Sequence, residues 1–388
     1  MEGCGLVRLF VGDLTSGRNI LPIPAREGEW EIRRNRAGTL SCDVTLSAKA
    51  HRRLDLYQAA MPGRSYLGIA EGDFIFEAGP IWEHDYDDDT RRLRIDAEGI
   101  WSFLMRRFIM PAAVETVALL LQSGDDAGKP NPAVATLFTG ATWPAIVRQI
   151  LQQGMARAGG ALPFVFGPDG VGAHDKGYDA ASFKTQGEAF TDLTELVNGP
   201  EIEFRAEFAP GGTGVRWRPL VGDDDQLKIA RIGAPHRFDF SAPQRTVRKL
   251  HVRRSARDLS SEAWATGGRQ AAIALVSRAA SDALQKAGFP RMESLSSAHS
   301  TVKEQATLDA YAQDDLALGS GLAEWWTLET NIDRVPMVGS FTLGDYCDVV
   351  LRRNPYLPDG THRRRIAALS GELRSRWVKV TTDEVVAA

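Results

Sequence analysis

The chain has 388 residues, 43% of them hydrophobic and 25% charged, the make-up of a folded globular protein rather than a disordered, fibrous or membrane-embedded one. A formal charge of -4 excludes a protein that grips nucleic acid over its whole surface, because that needs a clustered basic footprint. The three cysteines, Cys4, Cys42 and Cys347, are too few and too scattered for a disulfide scaffold or a structural zinc site.

The start, Met1-Glu2-Gly3-Cys4-Gly5, has no basic segment leading into an apolar one, and no window approaches the ~20 apolar residues of a membrane span. The chain is therefore expected to be made in the cytoplasm. From Leu6 to Trp101 short apolar alternations are broken by turn residues, the pattern of an antiparallel barrel or sandwich. Leu6–Val11 and Leu40–Leu46 read as strands. Ser65–Ile69 and Asp73–Glu77 flank a hairpin turn at Glu71-Gly72, and Ile81–Tyr86 and Arg91–Ala97 flank another at Asp87–Thr90. Closure of about six such strands into a small barrel would remove the sheet edges.

The period then changes. Thr142-Trp143-Pro144 supplies a cap and an early-turn proline, after which Ile146, Val147, Ile150 and Leu151 share a helical face. A second helix is predicted over Gly187–Asn198, with Phe190, Leu193, Leu196 and Val197 in register, and stops at Asn198-Gly199-Pro200. A hairpin follows, Ile202–Phe208 returning as Val215–Pro219 through Gly211–Gly214. Phe238–Arg254 reads as strand, Gly268–Gly288 and Thr301–Leu318 as helices, the latter opened by the capping box Thr301-x-x-Glu304. Strands resume at Trp325–Asn331, Phe341-Thr342 and Tyr346–Leu351, then His362–Leu369 and Arg374–Val380.

Motifs for phosphate loops, zincins, hydrolase elbows and dinucleotide folds are absent, and no histidine pairs at four-residue spacing with another histidine or a cysteine. Asp85, Asp87, Asp88 and Asp89 could offer oxygens to calcium, but without the glycine and terminal glutamate of a calcium loop they read as a solvated hairpin tip. Asp223-Asp224-Asp225 reads likewise as a turn. Glu201 with Glu203, and Glu83 with Asp85, are possible carboxylate pairs for glycoside hydrolysis. Trp82, Trp101, Trp325, Trp326 and Trp377 could stack sugars or serve as core and interface anchors. Ser65 and Ser255 lack a histidine in view. Arg363-Arg364-Arg365, with Arg352-Arg353 across a predicted hairpin, could contact a polyanion, guard a sheet edge or pair across subunits. No catalytic, cofactor-binding or metal-ligating residue is assigned.

The run Ala78-Gly79-Pro80-Ile81-Trp82, with Asp87-Asp88-Asp89, Leu93-Arg94-Ile95 and Gly99-Ile100-Trp101-Ser102-Phe103-Leu104, resembles the first-barrel segment of siphophage minor tail proteins of the tail-hub type. Val11–Leu14, Glu29-Trp30-Glu31 and Gly38-Thr39-Leu40 are similar to earlier strands of that family. Gly344-Asp345-Tyr346-Cys347-Asp348-Val349 is similar to the start of its second barrel, and Arg365–Leu369 to the segment that closes it.

The resemblance implies a mainly β chain with α+β insertions: two small antiparallel hub-type β-barrels plus a mixed α/β middle domain. The expected domains are 1–110 for the first barrel, 111–234 for the mixed α+β domain, 235–262 with 324–381 for the second barrel, and 263–323 for a helical insertion packing on the middle domain. It also implies a homotrimer forming a pseudo-sixfold ring at the distal end of a tail tube, in the virion tail tip. The implied partners are tail-tube rings, the tape-measure protein C-terminus and downstream tip or fibre proteins, with DNA only in transit through the lumen. No enzyme activity and no cofactor is expected. A carbohydrate-binding or glycan-hydrolysing tail-associated protein is the alternative. Trp82, Trp101 and Leu93 are expected to be buried in the first barrel.

Overall fold

A computed structural model describes residues 7–388 apart from 47–53, 115, 169, 171, 197, 230–232, 243–245, 271–272, 300–301, 303, 384 and 388. Strands dominate. The first seven are β1 (Arg8–Asp13), β2 (Leu21–Ile23), β3 (Glu27–Arg33), β4 (Thr39–Thr45), β5 (Ser65–Glu71), β6 (Phe74–Asp87) and β7 (Arg92–Glu98), followed by helix α1 (Ile100–Leu104). The middle carries β8 (Thr136–Ala141), α2 (Trp143–Met155), β9 (His174–Tyr178), α3 (Gln186–Thr194), β10 (Ile202–Phe208), β11 (Val215–Val221) and β12 (His236–Asp239). Then come β13 (Val247–Ser255), β14 (Glu262–Gln270), β15 (Ile273–Ala280), β16 (Glu293–His299), α4 (Gln305–Leu318) and β17 (Leu322–Asn331). The chain closes with β18 (Tyr346–Leu351), β19 (Gly360–Glu372), β20 (Trp377–Thr382) and β21 (Val385–Ala387).

Two compact units result, residues 1–247 with 329–380 and residues 248–328 with 381–388. In the first unit one sheet runs β20-β19-β3-β4-β7-β6-β5-β1-β2, with β18 beside β19 and β12 parallel to β18. The N-terminal and C-terminal β sections are thus joined directly, through the antiparallel ladder that sets Leu369 opposite Ile32. Both predicted hairpins form, and among the described residues no sheet closes on itself.

Strand β6 explains how the first section folds over. Its first half, to Pro80, pairs with β5, and from Ile81 it pairs with β7 across a register shift. The residues Ile75–Ile81 are buried without alternation, and solvent-facing alternation begins only beyond Trp82, as expected where a strand is covered on both sides. Gly79 sits against the backbone carbonyl of Glu98, leaving no room for a Cβ.

The middle segment adds its own elements to the same core. Thr142 accepts from the amide of Ala145 at 3.2 Å and starts α2, whose Ile146, Val147, Ile150 and Leu151 are fully buried. Helix α3 opens with the reciprocal Thr185–Glu188 capping box. It ends at Thr194, earlier than expected, which leaves Leu196 exposed; Val197 lies outside the described residues. One apolar cluster joins Phe10, Tyr66 and Trp101 of the first section to Ile146, Phe190, Phe204 and Trp217 of the middle.

In the second unit β14 is flanked by antiparallel β15 and parallel β16, and α4 packs Leu308 and Ala312 against Ala265 and Leu275. The helix expected over Gly268–Gly288 is therefore corrected: the segment ends β14, forms β15 and keeps only one helical turn at Ala283–Lys286. Leu275, Val276, Ser277 and Arg278 alternate inward and outward, and the Gly267-Gly268 pair lies at a register shift within the ladder. Of the predicted capping box, Thr301 lies outside the described residues, and Glu304 takes the N-cap position without a side-chain capping bond.

Candidate functional site

The most constrained polar feature of the first unit is a charged joint between three chain segments. Arg34, just beyond β3, and Arg365 on β19 both ion-pair with Glu201, which immediately precedes β10. Glu201 also accepts from the amide of Ile229 at 2.8 Å, and Arg365 donates to the carbonyl of Gly344 at 2.8 Å. Arg365 is 5% exposed. A carboxylate satisfied in this way has its lone pairs occupied by fixed donors and is a structural anchor.

Beside it lies a small polar cavity of about 30 Å³, room for a single water molecule, lined by Glu77 and Glu203 together with Arg36, Arg205, Phe76 and Trp101. Glu77 is buried and Glu203 nearly so. Glu77 accepts from the amide of Ala78 at 2.9 Å, and its other oxygen sits against the α-carbons of Gly38 and Gly99, where a Cβ would collide with it. Burial, partly offset by the Ala78 hydrogen bond and reinforced by Glu203, pushes Glu77 up to about 8. Burial also raises Glu203, against the Arg205 guanidinium 3.1 Å away.

The sequence-predicted candidates separate. Glu201 and Glu203 do not converge on a substrate groove: one is held by guanidinium groups and the other faces the small cavity. Glu83 and Asp85 are solvent-exposed on β6. Asp87 accepts from the amides of Asp89 and Thr90 at 2.9 and 3.3 Å, and Asp88 accepts from the Tyr86 hydroxyl, so these acids build a hairpin turn. Asp223 exchanges backbone hydrogen bonds with Gln226, likewise a turn, and Asp224 pairs with His174. The basic run divides by position along β19: Arg363 and Arg365 share a face of the strand, and only Arg365 is covered. Arg365 enters the joint, Arg363 is exposed and bonds Asp348 directly across the β18–β19 ladder at 3.0 Å, and Arg352 and Arg353 are exposed.

The tryptophans serve packing. Leu93 and Trp101 are buried as expected, Trp101 edge-on to Phe190 and Phe204. Trp82 is only half-buried, a correction: it donates to Ser102 at 2.9 Å and lies under the Arg106 guanidinium, beside a cleft of about 870 Å³ whose walls include Asn35, Glu98 and Met105. Trp326 is buried and donates to Glu324 at 2.6 Å, Trp325 lies under Arg253, and Trp377 is half-buried. Ser65 is buried. Burial pushes the thiols of Cys42 and Cys347 up to about 12, opposite to what a nucleophile needs. Cys4 lies outside the described residues. Among the described residues no three metal-ligating side chains cluster, and no helix is long and apolar enough to cross a membrane.

Sequence reasoning overlooked Glu77, Arg34 and the basic character of β13. Glu77 could have been flagged as an acid inside the apolar run Phe74–Ile81, and β13 by its alternating Lys249, His251 and Arg253.

No family model matches the sequence, and no curated protein matches it. Solved structures share its fold. The 43 kDa tail protein of prophage MuSo2 from Shewanella oneidensis superposes with a TM-score of 0.58 at 11% identity, covering 97% of this chain and 98% of that one. The tail protein from Neisseria meningitidis MC58 gives 0.54 at 11% identity, covering 97% and 96%. A chain of the Francisella PdpA–VgrG complex gives 0.51 at 8% identity; 98% of this chain is covered, and 53% of that one.

Proposed function

We propose that this chain, which has the fold of prophage tail proteins over nearly its whole length, is a structural hub of a virion tail tip. Three copies form a ring that closes or lines the distal tube, anchors other tip proteins and leaves a lumen through which DNA passes. The partners are the tube rings, the tape-measure C-terminus and downstream tip proteins. In this reading the two β sections roll into the two hub barrels, 1–110 and 235–262 with 324–381. The mixed segment 111–234 buttresses the first through their shared core, and 263–323 is an insertion. Two similar sections per subunit give a threefold ring six positions, the number a sixfold tube requires.

The near end-to-end coverage of tail proteins, 97% of this chain against 98% of the prophage protein, carries this reading. It is supported by Glu201, held in a charged joint, by Asp87, held in a turn, and by the buried thiols, as befits a non-enzymatic role. Mass photometry at micromolar concentration and immunogold labelling of particles test it. A trimer and label at the tail tip are expected; a monomer together with label elsewhere overturns it. Glycan binding lost on Trp325→Ala would favour the carbohydrate reading instead.

A further inference from the structure

Two exposed surfaces of opposite sign lie outside the charged joint, and both sit on the same chain. The first is the β6–β7 hairpin tip, where Asp85, Asp87, Asp88 and Asp89 are all exposed. Its backbone is fixed by the Asp87 hydrogen bonds to Asp89 and Thr90. The cations further along the hairpin are already engaged, Arg92 by Asp43 and Arg94 by Asp96. Among the described residues none of the four tip acids forms an ion pair within the chain. Arg91 in the same turn offsets part of this charge, and the tip remains a projection of net negative charge.

The second surface is β13. This strand contains Arg248, Lys249, His251, Arg253 and Arg254 and no acid. Lys249, His251, Arg253 and Arg254 are exposed, as is Arg257 just beyond the strand. Arg254 pairs with Glu324, whereas Arg253 and Arg257 make no ion pair among the described residues. The Arg253 guanidinium is steadied over the Trp325 ring, 5.2 Å from its centroid, a contact that orients a cation without neutralising it. Guarding a sheet edge explains charge on β13 in general, yet acids would guard it equally well, and it says nothing of the acidic tip.

We propose that the acidic tip of one copy docks on the β13 strand of the next. The inference rests on the trimeric reading above and names the surfaces that would build it. A contact between two different patches is head-to-tail, and such contacts close into a ring when the rotation between copies returns to its start. Long-range attraction between the patches also steers encounter and register before close packing forms.

Charge-reversal variants test it in the full chain by sedimentation velocity, with circular dichroism to confirm folding. Asp88→Arg with Asp89→Arg, and separately Arg253→Asp with Arg257→Asp, leave the Asp87 turn bonds intact. Each pair is expected to weaken self-association at least ~10-fold, and raising salt from about 0.05 to 0.5 M to weaken the wild type in the same direction. The chain with all four reversals, in which the charges are exchanged, is expected to regain assembly. A wild-type trimer that both pairs leave unchanged, or a fourfold variant that stays dissociated, overturns the docking while the trimer stands. A wild type monomeric at every salt concentration overturns the ring reading and the docking with it.

Discussion

Replacing Glu77 by Gln should change how stability depends on pH. In the folded chain Glu77 holds its proton up to about 8, against an ordinary 4.5, because burial penalises the carboxylate and Glu203 adds repulsion, while the single Ala78 hydrogen bond offsets only part. Below pH 4.5 the group is protonated in both states and contributes nothing to the pH dependence. Between 4.5 and about 8 the unfolded chain releases the proton and the native chain keeps it, so stability falls as pH rises. At about 1.4 kcal/mol per pH unit, that interval amounts to roughly 5 kcal/mol, and beyond it the loss levels off. Glutamine keeps the shape and cannot ionise. Urea unfolding followed by tryptophan fluorescence at pH 5, 7 and 9 should show the variant gaining on the wild type at each step. Parallel pH profiles for the two proteins would refute the reasoning. Glu203→Gln removes the neighbouring repulsion and should shrink the wild-type slope without abolishing it.

Glu201→Ala leaves Arg34 and Arg365 facing each other without their shared carboxylate, and should cost about 3–5 kcal/mol in chemical denaturation. Trp101→Ala should cost on the order of 3–5 kcal/mol and Leu93→Ala about 3 kcal/mol, whereas Trp82→Ala, half-exposed, should cost no more than about 2 kcal/mol; equal melting shifts for the two tryptophans would contradict the packing. Thr185→Ala removes the α3 capping box and should cost about 1 kcal/mol. Arg363→Ala breaks only an exposed pair with Asp348 of the same chain and should leave the melting temperature in place.

Much of the local structure was legible in the sequence because each signal is short-range. The Glu71-Gly72 and Asp87–Thr90 turns, the Thr142 cap with its proline, and the alternation of Ile202–Phe208 act within one or two turns of chain, and the structure places them as expected. The segment Gly268–Gly288 misled because alanines suit a helix, while the β15–β14 pairing that overrides them comes from residues outside the window. The hub resemblance likewise rested on strand order, which survives where individual residues do not.

What the sequence alone determined is therefore the order and character of the elements: strands, a mixed middle, strands again, and no local catalytic motif. Tertiary structure decided which charges matter. Arg363, Arg364 and Arg365 look alike in sequence, yet Glu201 from a distant segment covers Arg365 and leaves Arg363, two residues earlier on the same face of the strand, at the surface. Glu77 becomes a proton-holding acid only because β6 turns it inward against Gly38 and Gly99. Ionisation depends on solvent and neighbours, and some of those come from more than a hundred residues away, Glu203 for Glu77 and Glu201 for Arg365, so no short window of sequence could have revealed them.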